Sequence, residues 1–167
     1  MEVDFGGGTE LVGTNTGHAN ALVAEALTAR AIPELADYTA VRREVRYGQN
    51  SRIDFLLERD GTPPCYLEIK NVHLMRQPGV AEFPDCVTAR GARHLEELAA
   101  MVRQGARAIM LVIQIGSAER FAPARNIDPQ YGAALDRARV MGVEALAWKC
   151  AVSASGIEIA APVPIVD

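Results

Sequence analysis

An almost unbroken apolar run near the middle of the chain most limits the possible folds. Residues 108–115 read Ala-Ile-Met-Leu-Val-Ile-Gln-Ile. A strand with this pattern is covered on both faces, which is typical of a sheet with helices on each side. The run is far shorter than the roughly 20 apolar residues that a membrane-spanning helix needs. We therefore expect a central strand of an α/β sheet, and no membrane partner.

Hydrophobic periodicity places the other elements around this strand. Alternating or apolar runs predict further strands at 41–47, 52–58, 65–72 and 143–149, and an edge strand around 157–159. Helical spacing predicts helices at 18–31, 88–104 and 129–141. This order predicts a mixed central β-sheet flanked by helices.

Turn residues and strict alternation refine this plan. Asp60-Gly61 predicts the turn of an antiparallel hairpin between the strands at 52–58 and 65–72. Glycine and proline at 77–85 predict a loop. In the strand at 41–47, alternation would place four side chains on one face: Val41, Arg43, Val45 and Tyr47.

Length and charge limit the class of protein. The chain has 167 residues, 17 of them basic and 21 acidic, and a formal net charge of −4. This size supports one domain with its own core, which we expect at 11–167 after a flexible lead-in at 1–10. The acidic balance argues against a histone-like polyanion binder, but it allows a local basic patch. Three scattered cysteines predict free thiols, and an N-terminus without a secretory signal predicts a cytoplasmic protein.

Two acids and a lysine converge on the predicted hairpin. Asp54 lies within an apolar strand, where a carboxylate needs a partner. Glu68 and Lys70 share one face of the next strand, and the hairpin can bring Asp54 beside them. Two carboxylates and the Ile69 carbonyl form an oxygen set suited to Mg²⁺ or Mn²⁺. The lysine could orient a water or stabilise charge on a phosphate, which is the chemistry of phosphodiester hydrolysis.

Two features of this pattern leave an alternative open. The Glu-x-Lys spacing also suits a salt-bridged strand face, which is common on protein surfaces. On the first helix, Glu25 lies 60° from Leu22 at about 100° per residue, so it could either join the metal ligands or remain in solvent.

Basic and polar residues near the hairpin favour contact with DNA or RNA. Arg90 and His94 lie four apart on one side of a predicted helix and could bind a phosphate, or they could be a surface arginine and a half-buried histidine with its own partners. Several arginines precede Asp54, and they could hold a polyanion or pair with Glu44, Glu58 and Asp60. The candidate nucleic-acid contacts are Arg43, Ser51, Arg52, Asn71, Arg90 and His94.

Several blocks of the chain resemble the sugar fermentation stimulation protein A family. The blocks occur in family order and reach from about residue 11 to residue 149. They include Leu-Val-Gly-Thr-Asn-Thr at 11–16, Asn-Ser-Arg-Ile-Asp-Phe-Leu at 50–56, Leu-Glu-Ile-Lys-Asn-Val at 67–72, Phe-Pro-Asp at 83–85 and Asn-Ile-Asp-Pro at 126–129.

The resemblance implies a restriction-endonuclease-like PD-(D/E)xK core. It places Asp54, Glu68 and Lys70 at the motif positions and Glu25 at the first-helix acid. It also implies DNA binding and a link to the regulation of sugar metabolism, especially of maltose. The chain departs from the family pattern in two places: Ile53 replaces the usual proline, and we expect the usual N-terminal OB-like domain to be lacking.

These observations leave two hypotheses of different class. The first is a divalent-metal-dependent nuclease that acts on DNA or RNA, and the second is a non-catalytic DNA-binding regulator of sugar metabolism with a nuclease-like fold. A small-molecule sugar enzyme has little support because no glycine-rich phosphate loop follows a strand. Either hypothesis is compatible with a homo-oligomer.

Overall fold

Strands and helices alternate along most of the chain. The computed structural model describes residues 2–4, 9–11, 16–48, 51–153 and 156–167. The strands are β1 (Glu2–Asp4), β2 (Thr9–Leu11), β3 (Ala40–Tyr47), β4 (Ser51–Glu58), β5 (Cys65–Val72), β6 (Leu74–Gln77), β7 (Val80–Phe83), β8 (Arg107–Ile115), β9 (Arg120–Pro123), β10 (Glu144–Ser153) and β11 (Gly156–Pro162). The helices are α1 (Thr16–Thr28), α2 (Ala89–Arg103) and α3 (Pro129–Val140), with a short 3-10 helix at Pro33–Leu35.

Six strands form one mixed sheet in the order β11-β10-β8-β5-β4-β3. β8 pairs in parallel with β5 on one side and with β10 on the other, so the apolar run lies inside the sheet as predicted. β4 and β5 form the predicted antiparallel hairpin, with Phe55 opposite Leu67. The tail forms the predicted edge strand, β11, antiparallel to β10.

The helices cover the two faces of this sheet. Leu22 and Val23 of α1 belong to one core cluster, together with Leu57, Leu67 and Leu111 of the sheet. The other cluster joins α2 and α3 to the opposite face, through Leu95, Leu98, Tyr131 and Leu135 packed with Met110 and Val112. The fold is therefore the predicted mixed α/β sheet with helices on both sides.

Small strands occupy three segments for which no strand is predicted, at 2–11, 74–83 and 120–123. The loop prediction for 77–85 is wrong in part, because β6, β7 and β9 form a separate three-stranded sheet. Its tight turn uses Gly79, whose φ of 76° suits glycine. At the N-terminus, where sequence analysis places a lead-in, β1 and β2 pair antiparallel. The residues between them, 5–8, lie outside the described part of the chain.

The alternation of β3 breaks at Glu44. Val45 and Tyr47 pack with the cluster beneath α2 and α3. The Arg43 guanidinium instead lies 5.4 Å from the ring centroid of Phe55, which belongs to the cluster beneath α1. Glu44 has a φ of 54°, a left-handed conformation that is uncommon for residues other than glycine. The expectation that Arg43, Val45 and Tyr47 share one face is therefore wrong.

Two further sequence expectations can be compared with the structure. Cys65 and Cys150 are buried, Cys86 is exposed, and all three are free, as predicted. Within the described ranges, none of the helices combines the length and hydropathy that a bilayer crossing requires.

Asp128 links the N-termini of α2 and α3. It is 2% exposed, and its carboxylate accepts hydrogen bonds from Tyr131 N at 2.9 Å and from Thr88 N at 2.8 Å. The hydroxyl of Thr88 in turn accepts from Gly91 N at 3.0 Å and caps α2. One carboxylate therefore satisfies helix-start donors of two elements.

We expect Asp128→Ala to lower the thermal unfolding midpoint by several degrees at neutral pH. The two backbone hydrogen bonds hold the pKa of Asp128 in the folded protein below its ordinary value of 3.8. The stabilising effect of the carboxylate is therefore fully present above about pH 3.8, and it is lost as the pH falls through the lower pKa of the folded state. Thermal melts of wild type and variant should converge on acidification. Asp60→Ala, in the exposed hairpin turn, is the control, and an equal gap at acid and neutral pH would contradict the assignment.

Candidate metal and nucleic-acid site

Asp54 directly precedes the residues of β4 that pair with β5, and its side chain, rather than its backbone, contacts β5. Ile53 packs beneath α2 and α3, whereas Phe55 packs beneath α1. The alternation of side chains along β4 therefore breaks at Asp54. In the β3–β4 register this position falls opposite Glu44. The Oδ2 of Asp54 accepts from Ile69 N at 2.7 Å. Its Oδ1 accepts from the Asn20 Nδ2 of α1 at 2.9 Å. The carboxylate is therefore fixed between β5 and α1.

Glu68 is a buried carboxylate with one oxygen engaged and one without a partner. It is 4% exposed, and its Oε1 lies 2.6 Å from the Lys70 Nζ and within hydrogen-bond distance of the His94 Nδ1. Its Oε2 is buried and has no hydrogen-bond partner among the residues that the structure describes. The β4–β5 register, continued by one residue, places Glu68 opposite Asp54. The structure thus brings together the acid, acid and lysine that the sequence singled out.

The environment affects the two carboxyl groups differently. Burial and the charge of Glu68 raise the pKa of Asp54, against the hydrogen bonds from Ile69 and Asn20. Burial also acts to raise the pKa of Glu68, but the hydrogen bond from His94 and the charge of Lys70 outweigh it, so this pKa lies below its ordinary value. Glu68 is therefore the more readily ionised of the two carboxyl groups, and a bound cation would favour the ionised form of Asp54.

His94 holds Glu68, which differs from the phosphate contact expected from the sequence. The Nε of Arg90 donates to the His94 Nε2 at 3.4 Å, so the proton of a neutral imidazole is assigned to Nδ1, where it is donated to Glu68. Both ring nitrogens are thereby occupied. Arg90 itself is exposed, and its remaining guanidinium donors are available to a phosphate.

Two adjoining cavities open onto the carboxylates. One of about 440 Å³ is lined by Ser51, Arg52, Arg90 and Arg93 together with Asp54, Glu68 and His94. The other, of about 550 Å³, is lined by Asn20, Lys70, Asn71 and Arg90 and by the same two carboxylates and histidine. Five of the six candidate nucleic-acid residues therefore lie in one cleft, and only Arg43 lies elsewhere, over the Phe55 ring.

Asn71 contributes a second unsatisfied group to the cleft. Its side chain is partly buried, and both its amide nitrogen and its amide oxygen lack hydrogen-bond partners. An amide that is both donor and acceptor could serve a phosphate, a sugar hydroxyl or a water.

Asn20, and not Glu25, is the α1 residue at the carboxylates. Glu25 is exposed and follows Asn20 by five positions, which is about 140° around the helix. The Asn20 amide meets Asp54 directly, whereas the structure does not bring Glu25 to the pair. Asn20 and not Glu25 is therefore the α1 residue named among those that line the 550 Å³ cavity, and a role for Glu25 as a metal ligand stays a prediction.

Most arginines near the cleft are free of carboxylate partners. Of the ion pairs expected with Glu44, Glu58 and Asp60, the described residues form one, between Arg42 and Glu58 at 3.7 Å. Arg46 and Arg52 are exposed and directly opposite each other on β3 and β4. Like charges in that position are destabilising unless an anion lies between them. This part of the cleft is therefore suited to an anionic ligand.

The oxygen donors present fit a hard divalent cation. In the described residues no group of three or more His, Cys, Asp or Glu side chains is arranged to hold a metal. Mg²⁺, however, is usually held by one or two carboxylates, with waters or substrate oxygens completing its shell. The unpartnered Glu68 Oε2, the adjacent Asp54 carboxylate and the Ile69 carbonyl provide such a set.

Comparisons with known proteins agree with this arrangement of elements. The family model described as "Sugar fermentation stimulation protein RE domain" matches residues 17–156. The sugar fermentation stimulation protein homolog of Azorhizobium caulinodans is 58% identical over 166 residues, covering 99% of this chain and 70% of the relative. The homolog of Methylorubrum populi is 52% identical over 165 residues, covering 99% of this chain and 67% of that relative.

A solved structure extends the comparison to the fold. The structure of Pyrococcus furiosus SfsA in complex with Ca²⁺ matches with a TM-score of 0.81 at 29% identity, over 92% of this chain and 66% of that one. The chain spans about two thirds of the length of these proteins. From its sequence and its fold alike, the chain belongs to the sugar fermentation stimulation protein family.

Proposed function

We propose that this protein is a divalent-metal-dependent nuclease that hydrolyses phosphodiester bonds of DNA or RNA. The observation that carries the proposal is Glu68, a buried carboxylate held by Lys70 and His94, with an unpartnered oxygen beside Asp54. A buried, unsatisfied carboxylate oxygen is costly unless a ligand completes its coordination. A hard cation is the ligand that suits two carboxylates and a carbonyl.

Six residues of the cleft would have distinct roles in this chemistry. A bound Mg²⁺ or Mn²⁺ would polarise the phosphate and lower the pKa of a water. Asp54 and Glu68 would hold the cation, with the Ile69 carbonyl, while His94 keeps Glu68 in place. Lys70 would orient the attacking water and stabilise negative charge on the phosphate as one P–O ester bond breaks. Arg90 would bind a phosphate oxygen through its free donors.

Two further observations support nucleic acid as the substrate. Arg46, Arg52 and Arg93 are exposed around the cleft, and in the described part of the chain none has a carboxylate within the 4.0 Å that defines an ion pair. Free arginines can bind the repeating phosphates of a strand even on an acidic protein. In addition, the relative from Pyrococcus furiosus is described in complex with Ca²⁺, a cation that binds oxygen ligands.

A metal panel tests the proposal. Plasmid DNA, single-stranded DNA and RNA are incubated with the protein in Mg²⁺, in Mn²⁺ and in EDTA, and products are resolved on gels. We expect cleavage of at least one substrate in a divalent cation and none in EDTA, since two carboxylates without a cation repel a phosphate. Intact substrates under every condition would overturn the proposal.

The second candidate is a DNA-binding regulator of sugar metabolism that does not cleave. The unpaired arginines favour it, because they would serve binding alone as well as they would serve catalysis. Its signature is retention of DNA on a gel in EDTA, with no cleavage in any metal. Loss of binding in EDTA would count against this candidate.

A further inference from the structure

A third cavity adjoins the cleft on the side away from Lys70. It has a volume of about 700 Å³, and the residues that matter here are Arg46, Tyr47, Tyr66, Arg93 and Glu97. We call it the Tyr47 cavity. Arg93 lines both this cavity and the 440 Å³ cavity at the carboxylates. Arg46 lines the Tyr47 cavity and lies opposite Arg52, which lines the 440 Å³ cavity. The two cavities therefore adjoin at Arg93, and both have arginines among their lining residues.

In the described part of the chain, two buried polar atoms on side chains that line the Tyr47 cavity have no partner. Tyr47 is 7% exposed and its hydroxyl makes no hydrogen bond. The Oε2 of Glu97, on α2, is also buried without a partner. Buried polar groups are normally hydrogen-bonded, so each unsatisfied one requires an explanation. Here a donor and an acceptor remain unsatisfied in the same cavity, as they would in a site that a ligand completes.

The chemistry of these two groups is well defined. Burial and the charges of Glu68, Glu97 and Asp54 raise the pKa of Tyr47, so the phenol keeps its proton and can donate it. A carboxylate, by contrast, only accepts. Gly48 packs against Glu97. A Cβ at this position would lie only 3.0 Å from the Glu97 Cδ and Oε1, and the φ of 59° at Gly48 also suits glycine. Gly48 thus leaves room for the carboxylate at this position.

An aromatic surface completes the cavity. The rings of Tyr47 and Tyr66 lie 5.6 Å apart at an interplanar angle of 38°. Tyr66 is only partly buried, so part of its surface is open to a ligand. Bases of single strands stack on such rings, whatever the base, while neighbouring basic residues hold the backbone.

We propose that the Tyr47 cavity receives one unstacked nucleobase of the bound strand, beside the phosphate that Arg90 would bind at the two carboxylates. The base stacks on Tyr66, an N–H of its edge donates to Glu97, and the Tyr47 hydroxyl donates to a neighbouring base acceptor. A base taken out of its stack is read in this way, through its Watson–Crick edge and an aromatic surface. This proposal rests on the part of the proposed function that places a nucleic-acid strand in the cleft.

An abasic scan tests the base site by binding, without requiring cleavage. The probe is a fluorescent six-nucleotide single strand with phosphorothioate linkages, in Ca²⁺, and one residue at a time is made abasic. Anisotropy titration of wild type should show one position at which the abasic residue weakens binding about tenfold. Tyr47→Phe and Glu97→Gln should each reduce that penalty to under about threefold, because the first removes the hydroxyl donor and the second replaces the charged acceptor with a weaker, neutral one.

The control is Glu96→Gln. Glu96 is the neighbour of Glu97 on α2, is exposed, and lies 3.8 Å from Arg137. The Glu96→Gln variant loses one negative charge at the cavity, as Glu97→Gln does, and should keep the wild-type binding profile. The base site would be overturned if wild type did not bind the probe or showed a flat profile. It would also be overturned if Tyr47→Phe and Glu97→Gln left the profile unchanged, or if Glu96→Gln and Glu97→Gln reduced the penalty equally. If the metal panel shows no cleavage and the profile appears as expected, the nuclease proposal fails and the base site stands.

Discussion

Replacement of Asp54 by asparagine is expected to lower metal-dependent cleavage by about 10³-fold, an effect of the size seen when one preorganised electrostatic contact at a reacting phosphate or carbonyl is removed. The fold should survive this change. The Oδ1 of the new asparagine can still accept from Ile69 N, and the Asn20 amide can turn to accept from the new amide group. Only the negative charge that would bind the cation is lost.

Thermal melts give this prediction a second readout. Without divalent cations, Asp54→Asn should melt within a few degrees of wild type, because it also removes the repulsion that Glu68 exerts on the Asp54 carboxylate. With Mn²⁺, wild type should gain stability in proportion to the logarithm of the metal concentration, and the variant should not. Asp60→Asn, in the exposed turn of the same hairpin, is the matched control. Cleavage by Asp54→Asn within about threefold of wild type would refute the metal-ligand assignment.

The sequence predicted most of the central sheet, because its strands have unambiguous local patterns. The almost unbroken apolar run of β8 and the Asp60-Gly61 turn together determined the position of the inner strand and the hairpin partner of β5. Once these were known, the strand period of two sufficed to bring Asp54, Glu68 and Lys70 together. The small sheet was missed because β6, β7 and β9 have four residues each, too few for periodicity to be recognised. Pro78-Gly79 was the available signal, a turn pair between two short runs.

Periodicity could not choose the residue of α1 that reaches the site. The buried residues Ala19, Leu22, Val23 and Ala26 define one stripe of the helix. At about 100° per residue, Asn20 and Glu25 border that stripe at equal angles on opposite sides. The preference for Glu25 depended on its charge and on the family resemblance. Which side of α1 lies over β4 is a matter of tertiary packing, and there the structure places Asn20.

The break in alternation at Glu44 and Asp54 was equally hidden from the sequence. A residue such as glutamate gives no local signal for a φ of 54°. The neighbours of Asp54, Ile53 and Phe55, face opposite sides of the sheet because of this break. The Asp54 carboxylate can therefore contact Asn20 of α1 and also lie beside Glu68. Backbone conformations that break a local rule are often found at functional sites, where surrounding structure maintains them.

Lys70→Met is expected to have the second large effect, a loss of about 10²- to 10³-fold in the rate of cleavage at saturating substrate. Methionine keeps the length and apolar stem of the side chain and removes only the ammonium group, which lies 2.6 Å from Glu68. His94 continues to hold Glu68, so the cation and the substrate should still bind. The change should therefore appear in kcat, with little effect on KM or on the rise in melting temperature that Mn²⁺ produces.

This split separates a role for Lys70 in the reaction from a role in building the site. A lysine that only neutralised Glu68 would, when removed, weaken the Mn²⁺ effect on the melting temperature as strongly as Asp54→Asn does. A lysine that orients water and stabilises charge on the phosphate would leave that effect in place and lower kcat alone. The chain offers a matched control, because Lys149 of β10 is its only other lysine and lines neither cavity at the carboxylates. Lys149→Met should cleave at the wild-type rate, and a Lys70→Met enzyme that retained more than about a third of that rate would show that the ammonium group takes no part in the reaction.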